Sequence, residues 1–175
     1  MQMISGYGIT LRPLQEDQLE RIRNWRNAPH VAPFMTFKEY ITPEMHRKWY
    51  EGINNDHNQY FLIYFGEAPL GVVHLKDIDP IAQTAEWGIY LGELQHRKAR
   101  IGTKAALLLH HYGFETLQLR QIKATILDDN EASLRFHLKL GYQITPGHED
   151  LKVQIFWLMP EDFISRKAEI EIQLV

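Results

Sequence analysis

The hydrophobic and polar positions of the first half of the chain predict one strand, two helices and then a run of strands. Residues 8–14 alternate and predict a strand, and apolar residues spaced by three predict a helix over residues 16–27. Thr42 before Pro43 is typical of a helix N-terminus and predicts a second helix that ends near Ile53.

The second half of the chain alternates between strand and helix patterns. Three successive β-rich runs between Tyr60 and Leu91 predict an antiparallel meander. The pattern beyond them predicts a helix over residues 102–116, a strand over 121–127, a helix that ends at Gly141 and a strand over 153–159. This order predicts an α+β fold with a mixed central sheet of roughly six to seven strands and about four flanking helices.

Residues 1–175 are expected to form a single domain, because no linker, repeat or low-complexity segment interrupts them. Near the end, residues 168–175 alternate like an edge strand. Two interpretations of residues 160–175 are open: a strand that pairs with a second copy of the chain in a homodimer, or a disordered tail.

Composition and charge narrow the class of partner. The formal charge is -3 and 23% of the residues are charged, so neither nucleic acid nor an anionic membrane is expected as a partner. The chain contains no cysteine, which excludes thiolate nucleophiles and cysteine metal sites, and we expect no metal. No stretch has the length of a membrane span or the form of a signal peptide, which predicts a cytoplasmic protein.

Residues 86–103 combine the end of a strand, a basic turn and the start of a helix. Backbone N–H groups and the positive end of the helix dipole converge at such a junction. Because Arg97, Lys98 and Arg100 add positive charge there, we expect the junction to bind a phosphate or pyrophosphate.

The irregular stretch over residues 28–40 is rich in apolar side chains, among them Phe34, Met35 and Phe37. A loop of this composition must cover an apolar surface. It is either a lid over the core or one wall of a substrate pocket.

Two motifs resemble those of the GNAT superfamily of acetyl-CoA-dependent N-acetyltransferases. The acetyl-CoA signature of this superfamily falls on residues 97–102, and a later signature falls on Asn130, Ser133 and the pair at 141–142. The similarity extends over residues 9–159 and implies a GNAT fold.

Further segments resemble two groups of enzymes within this superfamily. Trp25-Arg26-Asn27 and the pattern from Ile41 to Trp49 are similar to bacterial enzymes that acetylate a nucleotide-linked 4-amino sugar of the pseudaminic acid pathway. They are also similar to the ribosomal-protein N-terminal acetyltransferases. The sequence of residues 70–90 is more similar to the amino-sugar enzymes, which are therefore the closer match.

The resemblance implies acetyl-CoA as a co-substrate and assigns residues to it. Its pantetheine is expected in a gap between the strand that ends at Leu91 and residues 123–127 of the later strand, paired with backbone like an added strand. The implied cofactor-binding residues are Ile89, Tyr90, Leu91, Arg97, Lys98, Arg100, Ile101, Gly102, Thr103, Asn130 and Ser133. Those expected to contact the acceptor substrate are Trp25, Arg26, Phe34 and Met35.

Two positions depart from the family pattern. Arg100 stands where the signature has its first Gly, which costs about 1 kcal/mol if the position has a positive φ, although the side chain can instead pair with phosphate. His137 stands where many members have a Tyr that protonates the leaving thiolate, and a His can donate a proton near neutral pH. The alternative for His137 is a partly buried helix residue without a catalytic role.

Direct acetyl transfer also needs a base for the acceptor ammonium. Glu86 on the central strand and His74 on its neighbour are the two candidates, and each is equally explained as an ordinary strand residue. The choice between these two bases stays open. Whether the transferred acyl group must be acetyl is open as well.

Three functions follow. The first is acetyl transfer to the 4-amino group of a UDP-linked amino-dideoxy sugar. The alternatives are a protein N-terminal acetyltransferase and a degenerate, non-catalytic acyl-CoA binder.

Overall fold

The computed structural model describes residues 2–53, 55–95, 99–145 and 152–174. The strands in these ranges are β1 (Ile4–Gly6), β2 (Ile9–Pro13), β3 (Gln59–Phe65), β4 (Ala68–Asp79), β5 (Thr84–Leu91), β6 (Gln121–Leu127), β7 (Gln143–Ile144) and β8 (Val153–Leu158). The α-helices are α1 (Leu19–Asn27), α2 (Pro43–Ile53), α3 (Ile101–His111), α4 (Glu131–Leu140) and α5 (Pro160–Leu174).

The strands form one mixed sheet in the order β1-β2-β3-β4-β5-β6-β8-β7, which confirms the α+β prediction. The described ranges hold eight strands, more than the number expected, because two short strands, β1 and β7, lie at the edges of the sheet. They hold five α-helices where about four were predicted, because the pattern of residues 160–175 did not predict helix α5. None of these helices combines the length and the apolar character needed to cross a membrane.

The prediction of an edge strand near the end of the chain is wrong, since this segment belongs to helix α5. The alternation of residues 168–175 suggested a strand, but over the longer segment from Pro160 a helical face forms. Phe163 and Ile170, two turns apart, are both buried in the core. The strand that was to pair with a second copy of the chain is therefore absent from the described segment.

The two faces of the sheet carry separate cores. Helices α3 and α5 cover one face, where Ala105, Leu109 and Phe163 pack with Leu75 of β4 in the larger cluster. Helix α1 covers the other face, where a smaller cluster contains Ile22 and residues of β3 and β4. Because side chains alternate along a strand, neighbouring residues of β4 and β5 face different environments.

The sheet opens between β5 and β6. These parallel strands are paired only over Thr84–Glu86 and Gln121–Lys123. Beyond that point β6 continues its antiparallel pairing with β8, and β5 stays paired with β4. A gap therefore begins in the middle of the sheet, directly after Glu86.

Among the described residues, the side chains of His46, His110 and His137 are buried. Burial lowers the pKa of His110 to about 3 and the pKa values of His46 and His137 to about 4. Each is therefore neutral in the folded protein at a pH where the unfolded chain would bind a proton.

We expect the free energy of unfolding to fall as the pH drops below about 6.5, the ordinary histidine pKa. A lowered pKa in the folded state means that stability is complete above that value and is lost toward the folded-state pKa of about 3 to 4. Each buried histidine contributes a slope of about 1.4 kcal/mol per pH unit in this range.

Urea unfolding at a series of pH values measures this dependence. His110→Gln should flatten it, and replacement of the exposed neighbour His111 by Gln provides the matched control. A free energy of unfolding that stays constant from neutral pH down to about pH 5 would contradict the expectation.

A second prediction concerns Gly88 of β5, which lies against His74 of the neighbouring strand β4. A Cβ at this position would lie 2.6 Å from Cε1 of His74, whose ring covers the glycine. We expect Gly88→Ala to lower stability by about 1 to 3 kcal/mol through this overlap. Gly52 in α2 has open space around it, so Gly52→Ala should raise stability by about 0.5 to 1 kcal/mol. Thermal melting of both variants tests the contrast, and equal shifts would contradict it.

Candidate functional site

A cavity of about 850 Å³ occupies the gap between β5 and β6 and continues under helices α1 and α2. We call the part next to α1 and α2 the α1–α2 lobe, defined by Arg26, His46, Trp49, Tyr60 and His74. The part next to helices α3 and α4 is the α3–α4 lobe, defined by Gly102, Ala124, Asn130, Ser133 and Phe136.

A column of rings forms one wall of the α1–α2 lobe. His46 stacks on Trp49 with ring centroids 4.8 Å apart, and Trp49 and Tyr60 form a T-shaped pair with centroids 5.1 Å apart. Tyr60 in turn stacks on His74 at 4.6 Å. The glycine at position 88 leaves room for the His74 ring against β5. The four rings form an aromatic wall that extends from helix α2 to strand β4.

Three polar atoms in this lobe have no hydrogen-bond partner in the described part of the chain. They are Nη1 of Arg26, Nδ1 of His46 and Nδ1 of His74, and all three are buried. Burial lowers the pKa of the Arg26 guanidinium, while Tyr90 and Tyr60 act in the opposite direction. Because buried polar groups normally have partners, these atoms point to a ligand that supplies them.

Glu86, a candidate base, lies at the last pair of β5 and β6. It forms ion pairs with Lys76 of β4 at 3.2 Å and with Lys123 of β6 at 2.9 Å. Burial acts to raise the pKa of Glu86, but the hydrogen bond from Lys123 and the charge of Lys76 outweigh it and lower the pKa. The carboxylate therefore stays ionised at neutral pH and also ties three strands together.

His74, the other candidate base, lines the same cavity on the neighbouring strand. Burial lowers its pKa to about 3, with the charge of Lys76 acting in the same direction. The imidazole is therefore neutral and binds a proton weakly.

Most of the predicted cofactor residues that the structure describes line the cavity. They are Ile89, Tyr90, Leu91, Gly102, Asn130 and Ser133. Asn130 also caps α4, since its side chain accepts a hydrogen bond from the Ser133 N–H at 3.1 Å. Arg100, Ile101 and Thr103 do not line it, and Ile101 is buried in the core. Arg97 and Lys98 lie outside the described residues.

Arg100 has the positive φ that a glycine at this place in the signature would supply. Its φ is 52°, in the left-handed region, directly before the first residue of α3. This conformation is costly for a residue with a side chain, by about 1 kcal/mol.

His137 of α4 also lines the cavity, where its ring contacts Trp87 with centroids 5.3 Å apart. Its Nδ1 lies 2.8 Å from the Ser133 carbonyl oxygen, which can only accept a hydrogen bond. Nδ1 therefore carries the proton, and Nε2 of the neutral ring has a lone pair. With a pKa of about 4, His137 donates from Nε2 only after it has taken up a second proton.

Of the residues expected to contact the acceptor, Arg26, Phe34 and Met35 line the cavity, and the segment that carries Phe34 and Met35 forms one of its walls. Trp25 does not. Its indole packs against Gly92 and donates a hydrogen bond to Glu93 at 2.9 Å. The residue before Arg26 faces the smaller core because consecutive helical residues point in different directions.

Four residues that line the cavity were not predicted as site residues: His46, Trp49, Tyr60 and Lys76. The signal for Lys76 was available, because it lies two residues from His74 and therefore on the same face of β4. No local pattern could place α2 against β3. Among the described residues, no group of three His, Asp or Glu side chains could hold a metal ion.

Comparisons with known proteins identify the family of the chain. Residues 9–143 match the acetyltransferase (GNAT) domain family. Acetyltransferase PseH of Campylobacter jejuni is 27% identical over 141 residues, which cover 78% of this chain and 84% of the relative.

Two solved structures share the fold. One is Apo FdhC, described as a nucleotide-linked sugar GNAT, with a TM-score of 0.79, 22% identity and 97% of each chain covered. The other is a spermidine N-acetyltransferase from Vibrio cholerae in complex with CoA and spermine, with a TM-score of 0.78 and 19% identity. It covers 91% of this chain and 99% of its own. With the family matched over most of its length, the chain belongs to the GNAT acetyltransferases and is an acetyl-CoA-dependent N-acetyltransferase.

Proposed function

We propose that the acceptor is a primary amine in a molecule that also carries phosphate, namely the 4-amino group of a UDP-linked amino-dideoxy sugar. The unpartnered, buried Nη1 of Arg26 in the α1–α2 lobe carries this proposal. A guanidinium is suited to phosphate because it presents several donors in one plane. The neutral rings of His46 and His74 add two further polar atoms that need partners.

The charge of the lobe argues against a polyamine acceptor, although spermidine acetyltransferases share this fold. Glu86 is the one carboxylate among the described residues that line the cavity, and it is already shared by Lys76 and Lys123. A polycation would therefore face Arg26 and Lys76 without a free carboxylate, and like charges repel. A nucleotide-linked sugar carries negative phosphate charge, which Arg26 and Lys76 attract. FdhC, which shares the fold, is described as a nucleotide-linked sugar GNAT.

The same proposal places acetyl-CoA in the α3–α4 lobe. Its pantetheine would lie along β5 at Ile89–Leu91 and pair with backbone groups that β6 leaves free beyond the last strand pair. The pyrophosphate would lie at the N-terminus of α3 near Gly102, and Asn130 and Ser133 would contact the cofactor from α4.

In the reaction that we propose, the neutral amine attacks the thioester carbonyl, the new C–N bond forms and the C–S bond breaks. Glu86 accepts the amine proton, directly or through water, because it is the ionised candidate of the two. That proton passes from Glu86 through water to Nε2 of His137 and from there to the leaving thiolate, so that both side chains return to their resting protonation states. No covalent enzyme intermediate is needed, which agrees with a chain that has no cysteine.

An acceptor comparison tests the proposal. A UDP-linked 4-amino sugar, spermidine and an N-terminal peptide are each supplied with acetyl-CoA, and thiol release is measured. We expect kcat/KM to be highest for the nucleotide sugar and Arg26→Ala to lower it about 10- to 100-fold, since a charge-assisted hydrogen bond is lost.

Arg21→Ala, an exposed change on the same helix, is the matched control and should leave kcat/KM unchanged. Preferred use of spermidine, with a gain in that activity in Arg26→Ala, would contradict the proposal. Thiol release with none of the three amines would favour a non-catalytic acyl-CoA binder.

The pH profile tests the proton donor. His74 and His137 have pKa values of about 3 and about 4, so neither changes charge between about pH 5 and 8 in the resting enzyme. We expect His137→Gln to lower kcat about 100-fold or more while the shape of the kcat/KM profile in that range is preserved. A descending limb near pH 6.5 that disappears in His137→Gln would show instead that the resting enzyme holds a charged imidazole.

A further inference from the structure

The side chain of Arg100 is bound to the far end of the chain. Its Nη1 donates a hydrogen bond to the backbone carbonyl oxygen of Gln173, in the last turn of α5. The last carbonyl groups of a helix have no partner within the helix and carry the negative end of its dipole. A guanidinium is therefore a favourable partner for this carbonyl.

This contact joins helices α3 and α5 at one end of the pair that they form. At the other end, Phe163 near the start of α5 lies 5.8 Å from His110 and 5.5 Å from Phe114, ring centroid to centroid, near the end of α3. The two helices are thus antiparallel, and the C-terminus of α5 lies beside the N-terminus of α3. The last turn of α5 accepts a second hydrogen bond at Glu171. Its donor is the hydroxyl of Tyr7, in the turn between β1 and β2.

The backbone of Arg100 gives no reason for an arginine. With φ at 52°, a glycine would fit this position without strain. The side chain does not line the cavity and is engaged by Gln173. The arginine is therefore explained by its contact with α5.

We infer that Arg100 is a positioning residue: it ties the turn before α3 to the last turn of α5, so that α5 supports the acetyl-CoA cradle from outside the cavity. The inference rests on the proposed place of the cofactor at the α3 N-terminus. It assigns the phosphate contacts to the backbone N–H groups at the start of α3, and it makes the Gln173 carbonyl group at the end of α5 necessary for tight cofactor binding.

The test measures acetyl-CoA affinity by calorimetry, which needs no acceptor, together with kcat and the acetyl-CoA KM for an accepted amine. The variants are Arg100→Ala, a chain that ends at Ile172, and the two changes combined. We expect each single change to weaken acetyl-CoA binding about tenfold with kcat nearly unchanged, as for one lost charge-assisted hydrogen bond. The combined variant should lose no more than either single change, because both remove the same contact.

Two controls separate this role from packing. Leu174→Ala removes an apolar contact with the core at the end of α5, and Arg166→Ala removes a surface ion pair earlier on the same helix. Both should keep the wild-type affinity, and melting curves verify that every variant folds.

Loss of affinity in Arg100→Ala but not in the shortened chain would overturn the inference, because Arg100 would then contact the phosphate itself. Additive losses in the combined variant, or an equal loss in Leu174→Ala, would overturn it as well. A wild-type protein that does not bind acetyl-CoA would instead refute the proposed cofactor site, on which the inference depends.

Discussion

The short pairing between β5 and β6 is the constraint on which the site depends. Two parallel strands bond over three residues each and then separate, which leaves backbone groups of both edges facing a gap. Glu86 lies at the last pair, and its ion pairs with Lys76 and Lys123 hold β4, β5 and β6 together where the separation begins. An opening in the middle of a sheet exposes N–H and C=O groups that need partners, so an extended ligand can occupy it as a strand would.

The same ion pairs affect the chemistry. Two lysines keep Glu86 ionised and lower its basicity, which makes it a modest proton acceptor. Arg26 and Lys76, two cations that line the cavity, would also lower the pKa of a bound ammonium, so that a weaker base would suffice. An acceptor that brings its own negative charge fits this field, because phosphate offsets the repulsion between the cations and the amine.

The histidines around the cavity act as neutral rings. His46 and His74 belong to the aromatic wall, and His137 is oriented by the carbonyl of Ser133. Burial keeps each of them uncharged near neutral pH. In this setting His137 carries its one ring proton at Nδ1, and its Nε2 holds a lone pair.

By itself, the sequence determined the elements with local signals and the family. Strands at residues 84–91 and 121–127 and the helices at 43–53 and 131–140 occur as predicted, because periodicity, an N-cap and a terminal glycine act within a few residues. Only the tertiary structure decided that the end of the chain is helix α5, that Trp25 packs against Gly92, and that Glu86 is shared by two lysines. These outcomes depend on contacts between residues far apart in the chain, and it is burial and cross-strand neighbours that determine helix faces, ion pairs and protonation.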